Sequence, residues 1–278
     1  MALSRDLPIG VFDSGVGGLT VLRALRERLP GASFLYLGDT ARLPYGTKSP
    51  DTVRRYAEQA AGVLIDRGVQ ALVIACNTAS SAAVEHLQRS CAPIPVFGVI
   101  KPGAAAAVAA SKGQEILVLA TEGTVQGGAY ERAIRALRPS AAVVSLPCPL
   151  FVAFAEEGWV DGPIAEAVAR RYIAPVLAEH PGIDTVVLGC THFPVLRGAI
   201  STAAGPTRHL VDSAATTASE VLLSLEGSFE GSFEGLIPGE GRGEIRFLAT
   251  DAPQRFARVG SVFLGEAITP AAVELVDL

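Results

Sequence analysis

The sequence has little charge and no run of basic residues. Charged side chains make up 18% of its 278 positions, and the formal net charge is −5. Proteins that bind nucleic acid or anionic membrane surfaces usually carry clustered lysine and arginine. We therefore expect no nucleic-acid partner and no membrane association, and a small-molecule ligand remains open.

Long hydrophobic runs are also missing. The best apolar stretch, residues 141–155, is interrupted by one serine, one cysteine and two prolines, so it is too short to span a bilayer. The first ten residues, MALSRDLPIG, lack the apolar core of a signal peptide. Together these features predict a cytoplasmic protein.

Cysteine is scarce, with four residues at Cys76, Cys91, Cys148 and Cys190. Thiols stay reduced in the cytoplasm, so we expect no disulfide framework. We interpret Cys91 and Cys148 as small buried side chains, which is a common use of cysteine. Cys76 and Cys190 stand in a different sequence context, described below.

Signatures of metal and nucleotide binding are absent as well. Cys76, Cys190 and His192 could together be read as zinc ligands, but the sequence has no C-x-x-C pair and no second ligand pair. The segment DSGVGG, residues 13–18, lacks the GK[ST] ending of a phosphate-binding loop and does not fit G-x-G-x-x-G. We therefore expect no metal and no cofactor.

What the chain does contain is a regular alternation of short apolar segments and helical patterns. Apolar strands are predicted at residues 9–12, 33–37, 71–75, 96–99, 115–120, 143–146, 185–188, 209–212 and 245–249, and helices at 19–29, 52–67, 77–90, 104–110, 129–137, 161–180, 198–203, 214–225 and 253–264. The strands are continuously apolar rather than alternating. This pattern predicts an α/β fold with mainly parallel sheets flanked by helices.

A weak internal repeat divides the chain into two related halves. IGVFDSGVGG, from residue 9, resembles ILVLATEGTVQGG, from residue 116, and ALVIACNTAS, from residue 71, resembles TVVLGCTHFP, from residue 185. The two matches have similar offsets, so we predict two pseudo-symmetric α/β halves that face each other. Sites in such sheets form beyond the carboxyl ends of the strands, which places the active site in the cleft between the halves.

The repeat gives Cys76 and Cys190 equivalent positions, each after a buried strand and before a predicted helix. A helix N-terminus favours the thiolate form of a cysteine. One such thiol could be the nucleophile of a hydrolase. Two opposed thiols suit another task, because one can remove a proton from one face of a carbon while the other returns a proton to the opposite face.

Neutral hydrogen-bond donors are concentrated in the same loops. They are Ser14, Asn77, Thr78, Thr121, Thr124 and Thr191, together with glycine amides. Donors of this kind suit a carboxylate ligand.

Seven motifs make a more specific resemblance. They are FDSGVGGLTVL from residue 12, GDTARLPYG from 38, ACNTAS from 75, GVIKPG from 98, ATEGTV from 120, LGCTHFP from 188 and DSAATTA from 212. In this order, over about residues 8–265, the chain resembles the glutamate racemase family of bacterial cell-wall synthesis. The wider group is the aspartate/glutamate racemase superfamily.

The resemblance implies a cofactor-independent racemase that interconverts L- and D-glutamate with two cysteines and supplies D-glutamate for peptidoglycan. Cys76 would then act on D-glutamate and Cys190 on L-glutamate. It also implies that Asp13 assists Cys76, and that His192 and Glu156 assist Cys190. The substrate contacts implied by the family are Asp13, Ser14, Tyr45, Gly46, Asn77, Thr78, Thr191 and His192.

The family fold implies one domain from residues 1–99 and 208–278, which carries Cys76, and an inserted domain from residues 100–207, which carries Cys190. A homodimer is also expected. Two features depart from the family pattern. Ala153 stands where the family usually has proline, which bears on Glu156, and residues 226–244 contain the repeat GSFEGSFEG, which we interpret as a surface hairpin or linker.

Three alternatives to glutamate racemisation remain open at this point, and one of them is the cysteine hydrolase named above. The same chemistry could act on aspartate. The residues themselves distinguish the two substrates only weakly, and it is the resemblance of the motifs to one family that favours glutamate. A protein that binds acidic amino acids without catalysis could use the same cleft.

Overall fold

The computed structural model of the protein describes residues 7–228 and 243–278. Within these residues ten strands run in the order β1 Ile9–Asp13, β2 Phe34–Gly38, β3 Ala71–Ile74, β4 Val96–Gly98, β5 Glu115–Ala120, β6 Ala142–Pro147, β7 Ile183–Gly189, β8 His209–Asp212, β9 Ile245–Ala249 and β10 Val273–Leu275. The helices are α1 Leu19–Arg28, α2 Pro50–Asp66, α3 Asn77–Ser90, α4 Ile100–Ala110, α5 Glu122–Gly127, α6 Ala129–Leu137, α7 Pro149–Glu156, α8 Gly162–Glu179, α9 Arg197–Ala204, α10 Ser213–Ser228 and α11 Pro253–Leu264.

The strands form two sheets in which every pairing is parallel. The first sheet has the order β10-β9-β2-β1-β3-β4, and the second has the order β6-β5-β7-β8. The four strands β2-β1-β3-β4 of the first sheet therefore have the same arrangement as the whole second sheet. This correspondence confirms the predicted α/β class and the predicted relation between the two halves.

The central strands are buried because helices cover both faces of each sheet. Every residue of β1, β2 and β3 is buried, as are the last five residues of both β5 and β7. The edge strand β6 is at most half-buried. Continuous apolar strands are what a doubly covered parallel sheet requires.

Three local elements differ from the predicted pattern. The helix predicted at residues 104–110 begins earlier, because residues 100–103 form the first turn of α4, where Pro102 is tolerated because backbone N–H groups there have no helical partner. No helix was predicted at residues 121–128, but they contain α5, whose N-terminus is capped by the Thr121 side chain. The helix predicted at residues 198–203 is preceded by a 3₁₀ turn, Phe193–Leu196, that leads into α9.

The predicted domain division remains a prediction, although the sheets bear on one boundary. Strand β8 pairs with β7 in the second sheet, while the prediction had placed it in the first domain. The next element, α10, contacts both α1 and α4. Most of the segment predicted as a hairpin or linker lies outside the described residues, and its first three residues belong to α10.

The sequence was expected to contain no segment that spans a bilayer. No helix in residues 7–228 and 243–278 is long and apolar enough to do so.

Candidate active site

The carboxyl ends of strands from both sheets meet at a cavity of about 310 Å³. Cys76 follows β3 as the N-cap residue of α3, and Cys190 follows β7 directly; both line this cavity. Two larger cavities, of about 410 and 600 Å³, contain neither cysteine. The predicted site residues that line the cysteine cavity are Ser14, Tyr45, Gly46, Cys76, Asn77, Thr78, Thr121, Glu156, Cys190, Thr191 and His192.

The Cys76 thiol has few groups that would stabilise a negative charge. Its Sγ accepts a hydrogen bond from the Ala79 backbone N at 3.4 Å and donates to Ser14 Oγ at 3.5 Å. Burial and the charge of Asp13 raise the pKa of Cys76 to about 12. Burial therefore opposes the tendency of the helix N-terminus to favour a thiolate at Cys76.

Asp13 lies at the boundary between the halves and does not line the cavity. Its carboxylate accepts hydrogen bonds from Gly15 N at 2.9 Å and from Thr191 Oγ1 at 3.5 Å. Burial raises the pKa of Asp13, while the nearby His192 acts in the opposite direction. Asp13 therefore lies close enough for its charge to raise the pKa of Cys76, and it contacts the Cys190 loop through Thr191.

The Cys190 side is a row of polar groups. His192 Nδ1 lies 3.8 Å from Cys190 Sγ, and His192 Nε2 lies 3.1 Å from Glu156 Oε1. Burial alone would lower the pKa of His192, but the hydrogen bonds with Cys190 and Glu156 and the charges of these groups raise it. A protonated imidazole at this position places a positive charge beside Cys190 Sγ.

Glu156 is held from its other side by Arg255, which the sequence analysis did not identify. Arg255 Nη2 lies 2.6 Å from Glu156 Oε2. Burial would raise the pKa of Glu156, but the hydrogen bond from His192 and the charges of His192 and Arg255 lower it. Glu156 is thus a carboxylate, and Ala153, which also lines the cavity, does not prevent it from reaching His192.

Three threonine hydroxyls form a triangle between the halves. Thr78 Oγ1 lies 3.0 Å from Thr121 Oγ1 and 3.2 Å from Thr124 Oγ1, and the last two atoms are 3.0 Å apart. Thr78 and Thr121 line the cavity, whereas Thr124 is buried and reaches it only through the other two.

A buried carboxylate supports the Tyr45 side of the cavity. Tyr45 OH and Arg42 Nε both donate to Asp39 Oδ2, the second at 2.6 Å, and Thr250 Oγ1 donates to Asp39 Oδ1 at 3.0 Å. Burial raises the pKa of Tyr45, so its hydroxyl stays protonated as a donor. Asp39 was not among the predicted site residues, although Arg42 and Tyr45 follow it closely in the sequence; only Thr250 comes from a distant segment.

The side chains that commonly bind metal ions do not cluster in the described part of the chain. No group of three or more histidine, cysteine, aspartate or glutamate side chains suited to a metal ion occurs among the described residues. All four cysteines are free.

The chain is similar to known proteins over nearly its whole length. A family model described as Asp/Glu/Hydantoin racemase matches residues 17–221. A glutamate racemase of Geobacter metallireducens is 47% identical over 257 residues, which is 92% of this chain and 92% of that protein.

Solved structures show the same similarity. Glutamate racemase from Thermus thermophilus, in complex with β-chloro-D-alanine, has a TM-score of 0.85 and 45% identity, covering 99% of this chain and 98% of that one. Glutamate racemase from Francisella tularensis, in complex with D-glutamate, has a TM-score of 0.86 and 38% identity with the same coverage. The chain therefore belongs to the Asp/Glu/hydantoin racemase family.

Proposed function

We propose that this protein interconverts L- and D-glutamate with Cys76 and Cys190 as the two acid–base groups. The observation that carries the proposal is the presence of both cysteines in one cavity, each at the same position of its own sheet. The similar proteins are glutamate racemases, and the Francisella relative binds D-glutamate.

The reaction begins with removal of the Cα proton of L-glutamate. The Cys190 thiolate takes this proton on one face, and the electron pair of the C–H bond stays on Cα and delocalises into the adjacent carboxylate. The Cys76 thiol then donates its proton to the opposite face of Cα. The product is D-glutamate, with Cys190 now a thiol and Cys76 a thiolate, and the reverse reaction restores the starting forms.

The charged groups around Cys190 and Cys76 favour the conversion of L-glutamate to D-glutamate in this scheme. His192, held protonated by Glu156, favours the thiolate on Cys190. The raised pKa of Cys76 keeps the second sulfur protonated and ready to donate. For D-glutamate the two sulfurs must start in the opposite forms. Cys76 then gives its proton to Asp13, whose pKa is also raised, and Cys190 takes a proton from His192.

The cavity lining supports an acidic amino acid as the substrate. Thr78 and Thr121 supply hydroxyl donors, and Asn77 supplies an amide. Donors fixed in a closed site stabilise negative charge as it develops on the substrate carboxylate, which is the difficult part of this reaction.

We also propose the biological setting of the activity. D-glutamate made by this protein would serve peptidoglycan synthesis in the cytoplasm, and the protein would act as a homodimer. The scheme uses only side chains of this chain, with no cofactor and no metal.

The direct experiment is a circular-dichroism assay of L- and D-glutamate without added pyridoxal phosphate. We expect racemisation of both enantiomers by the wild type, and none by Cys76→Ser or Cys190→Ser with an unchanged far-ultraviolet spectrum. Turnover retained by either variant would contradict the two-cysteine scheme.

Three rival outcomes are distinguishable. Faster turnover of aspartate than of glutamate would assign the chemistry to the other substrate. A protein that only binds acidic amino acids would incorporate no deuterium at Cα of L-glutamate in D₂O. A cysteine hydrolase would need one thiol only, and a covalent adduct would appear in its mass spectrum.

A further inference from the structure

One buried tyrosine outside the predicted site connects the two halves next to both cysteines. Tyr130 is the second residue of helix α6 in the half that carries Cys190, and its OH donates to Asn77 Oδ1 at 2.8 Å. Asn77 directly follows Cys76. The Tyr130 ring lies against Gly189, which directly precedes Cys190, because a Cβ on Gly189 would be 3.1 Å from the ring.

The amide nitrogen of Asn77, Nδ2, has no hydrogen-bond partner among the described residues. Asn77 is 3% exposed and lines the cavity, yet its Nδ2 makes no hydrogen bond within the described part of the chain. A buried amide N–H₂ without an acceptor costs free energy, so such groups are normally satisfied when a ligand is bound.

The tyrosine decides which end of the amide is free. Burial raises the pKa of Tyr130, so the phenol remains a hydrogen-bond donor. A donor at this position selects the orientation of Asn77 in which Oδ1 meets the phenol. Nδ2 is then left as the unpaired donor of a side chain that lines the cavity.

We propose that Tyr130 is a positioning residue for substrate binding: it holds Asn77 so that Nδ2 donates to a carboxylate oxygen of the substrate. This inference rests on the proposed function, since it needs a substrate with a carboxylate in the cavity. Tyr130 touches no substrate in this scheme and acts on it through Asn77; its hydroxyl also hydrogen-bonds the Ser213 side chain.

The test is a double-mutant cycle on racemisation of glutamate. Tyr130→Phe keeps the ring against Gly189 and removes only the hydroxyl. We expect it to lower kcat/KM about tenfold, mainly by raising KM. In an Asn77→Ala background, the same change should cost less than about twofold, because the group that it positions is gone.

A control separates positioning from the general loss of a hydroxyl. Tyr172 OH accepts a hydrogen bond from Leu150 N at 3.3 Å, and Tyr172 does not line the cavity. Tyr172→Phe should leave kcat/KM within about twofold of the wild type. The inference would be overturned if Tyr130→Phe lowered kcat/KM by the same factor in the wild-type and Asn77→Ala backgrounds. It would also be overturned if Tyr130→Phe did not lower kcat/KM of the wild type.

A second variant tests the orientation of the amide even if Tyr130→Phe were to fold poorly. Asn77→Asp places an oxygen where Nδ2 lies, facing the substrate carboxylate. We expect its KM to be at least about tenfold above that of Asn77→Ala. A KM equal to or below that of Asn77→Ala would mean that an acceptor faces the substrate, and would overturn the inference. Absence of wild-type racemisation would instead overturn the proposed function.

Discussion

Arg255 Nη2 lies 2.6 Å from Glu156 Oε2, and this ion pair joins α11 to the end of α7. Helix α11 packs on α1 beside the first sheet, while α7 follows β6 of the second. The carboxylate that supports the Cys190 side of the cavity is therefore held by a residue from the other half.

Replacing Arg255 should weaken this support modestly. Its side chain is 49% exposed, so solvent screens the pair, and we expect Arg255→Gln to lower kcat/KM about two- to fivefold. The loss should shrink at high salt. Arg258→Gln is the matched control, because this residue lies on the same helix and forms no ion pair in the part of the chain that the structure describes. Equal losses from both variants would exclude a specific role for the pair.

The Glu156 carboxylate should set the alkaline limit of activity. The pKa of His192 is raised, so the imidazolium persists above its usual range and activity is lost only as pH rises through the raised value. Glu156→Gln removes one of the groups that raise this pKa. The alkaline limb of kcat/KM for L-glutamate should then move to lower pH by about one unit. An unmoved limb would show that Glu156 does not control His192.

Gly17 lies so close to the loop after Cys190 that a side chain at this position would clash with it. A Cβ at this position would lie 2.5 Å from Thr191 Oγ1 and would overlap the His192 ring. We expect Gly17→Ala to displace these groups and lower kcat about 100-fold. Gly15→Ala is the control, since the nearest atom to its Cβ is Leu43 Cδ2 at 3.5 Å. The measurement is steady-state kinetics of the two variants. Similar reductions of kcat in both would contradict the view that Gly17 leaves room for Thr191 and His192.

The buried Asp39 carboxylate should make Tyr45 important for stability as well as for substrate binding. Tyr45→Phe removes one donor from a carboxylate that is fully buried, so we expect unfolding to become easier by about 1–3 kcal/mol and KM to rise. Urea denaturation measures the first effect. Tyr56→Phe should change stability by less than about 0.5 kcal/mol, because the Tyr56 hydroxyl has no hydrogen bond among the described residues. A similar loss in both variants would contradict this view of Asp39.

The sequence by itself determined the equivalence of Cys76 and Cys190 and all the described strands and helices except β10, α5 and α7. Both are local properties, because strand burial appears as a continuous apolar run and the repeat places each thiol after such a run. The order of strands in the two sheets then follows the repeat. Glu156 was also identified, through the family resemblance, and the structure places it beside His192.

Only the tertiary structure decided the electrostatics and the supporting contacts of the site. A helix N-terminus favours a thiolate, whereas burial beside Asp13 raises the pKa of the Cys76 thiol, and burial is a property of the assembled halves. Arg255 and Tyr130 carried no local signal, because each acts on a residue from a distant segment. Such contacts form only when the two sheets pack together, so no short stretch of sequence contains them.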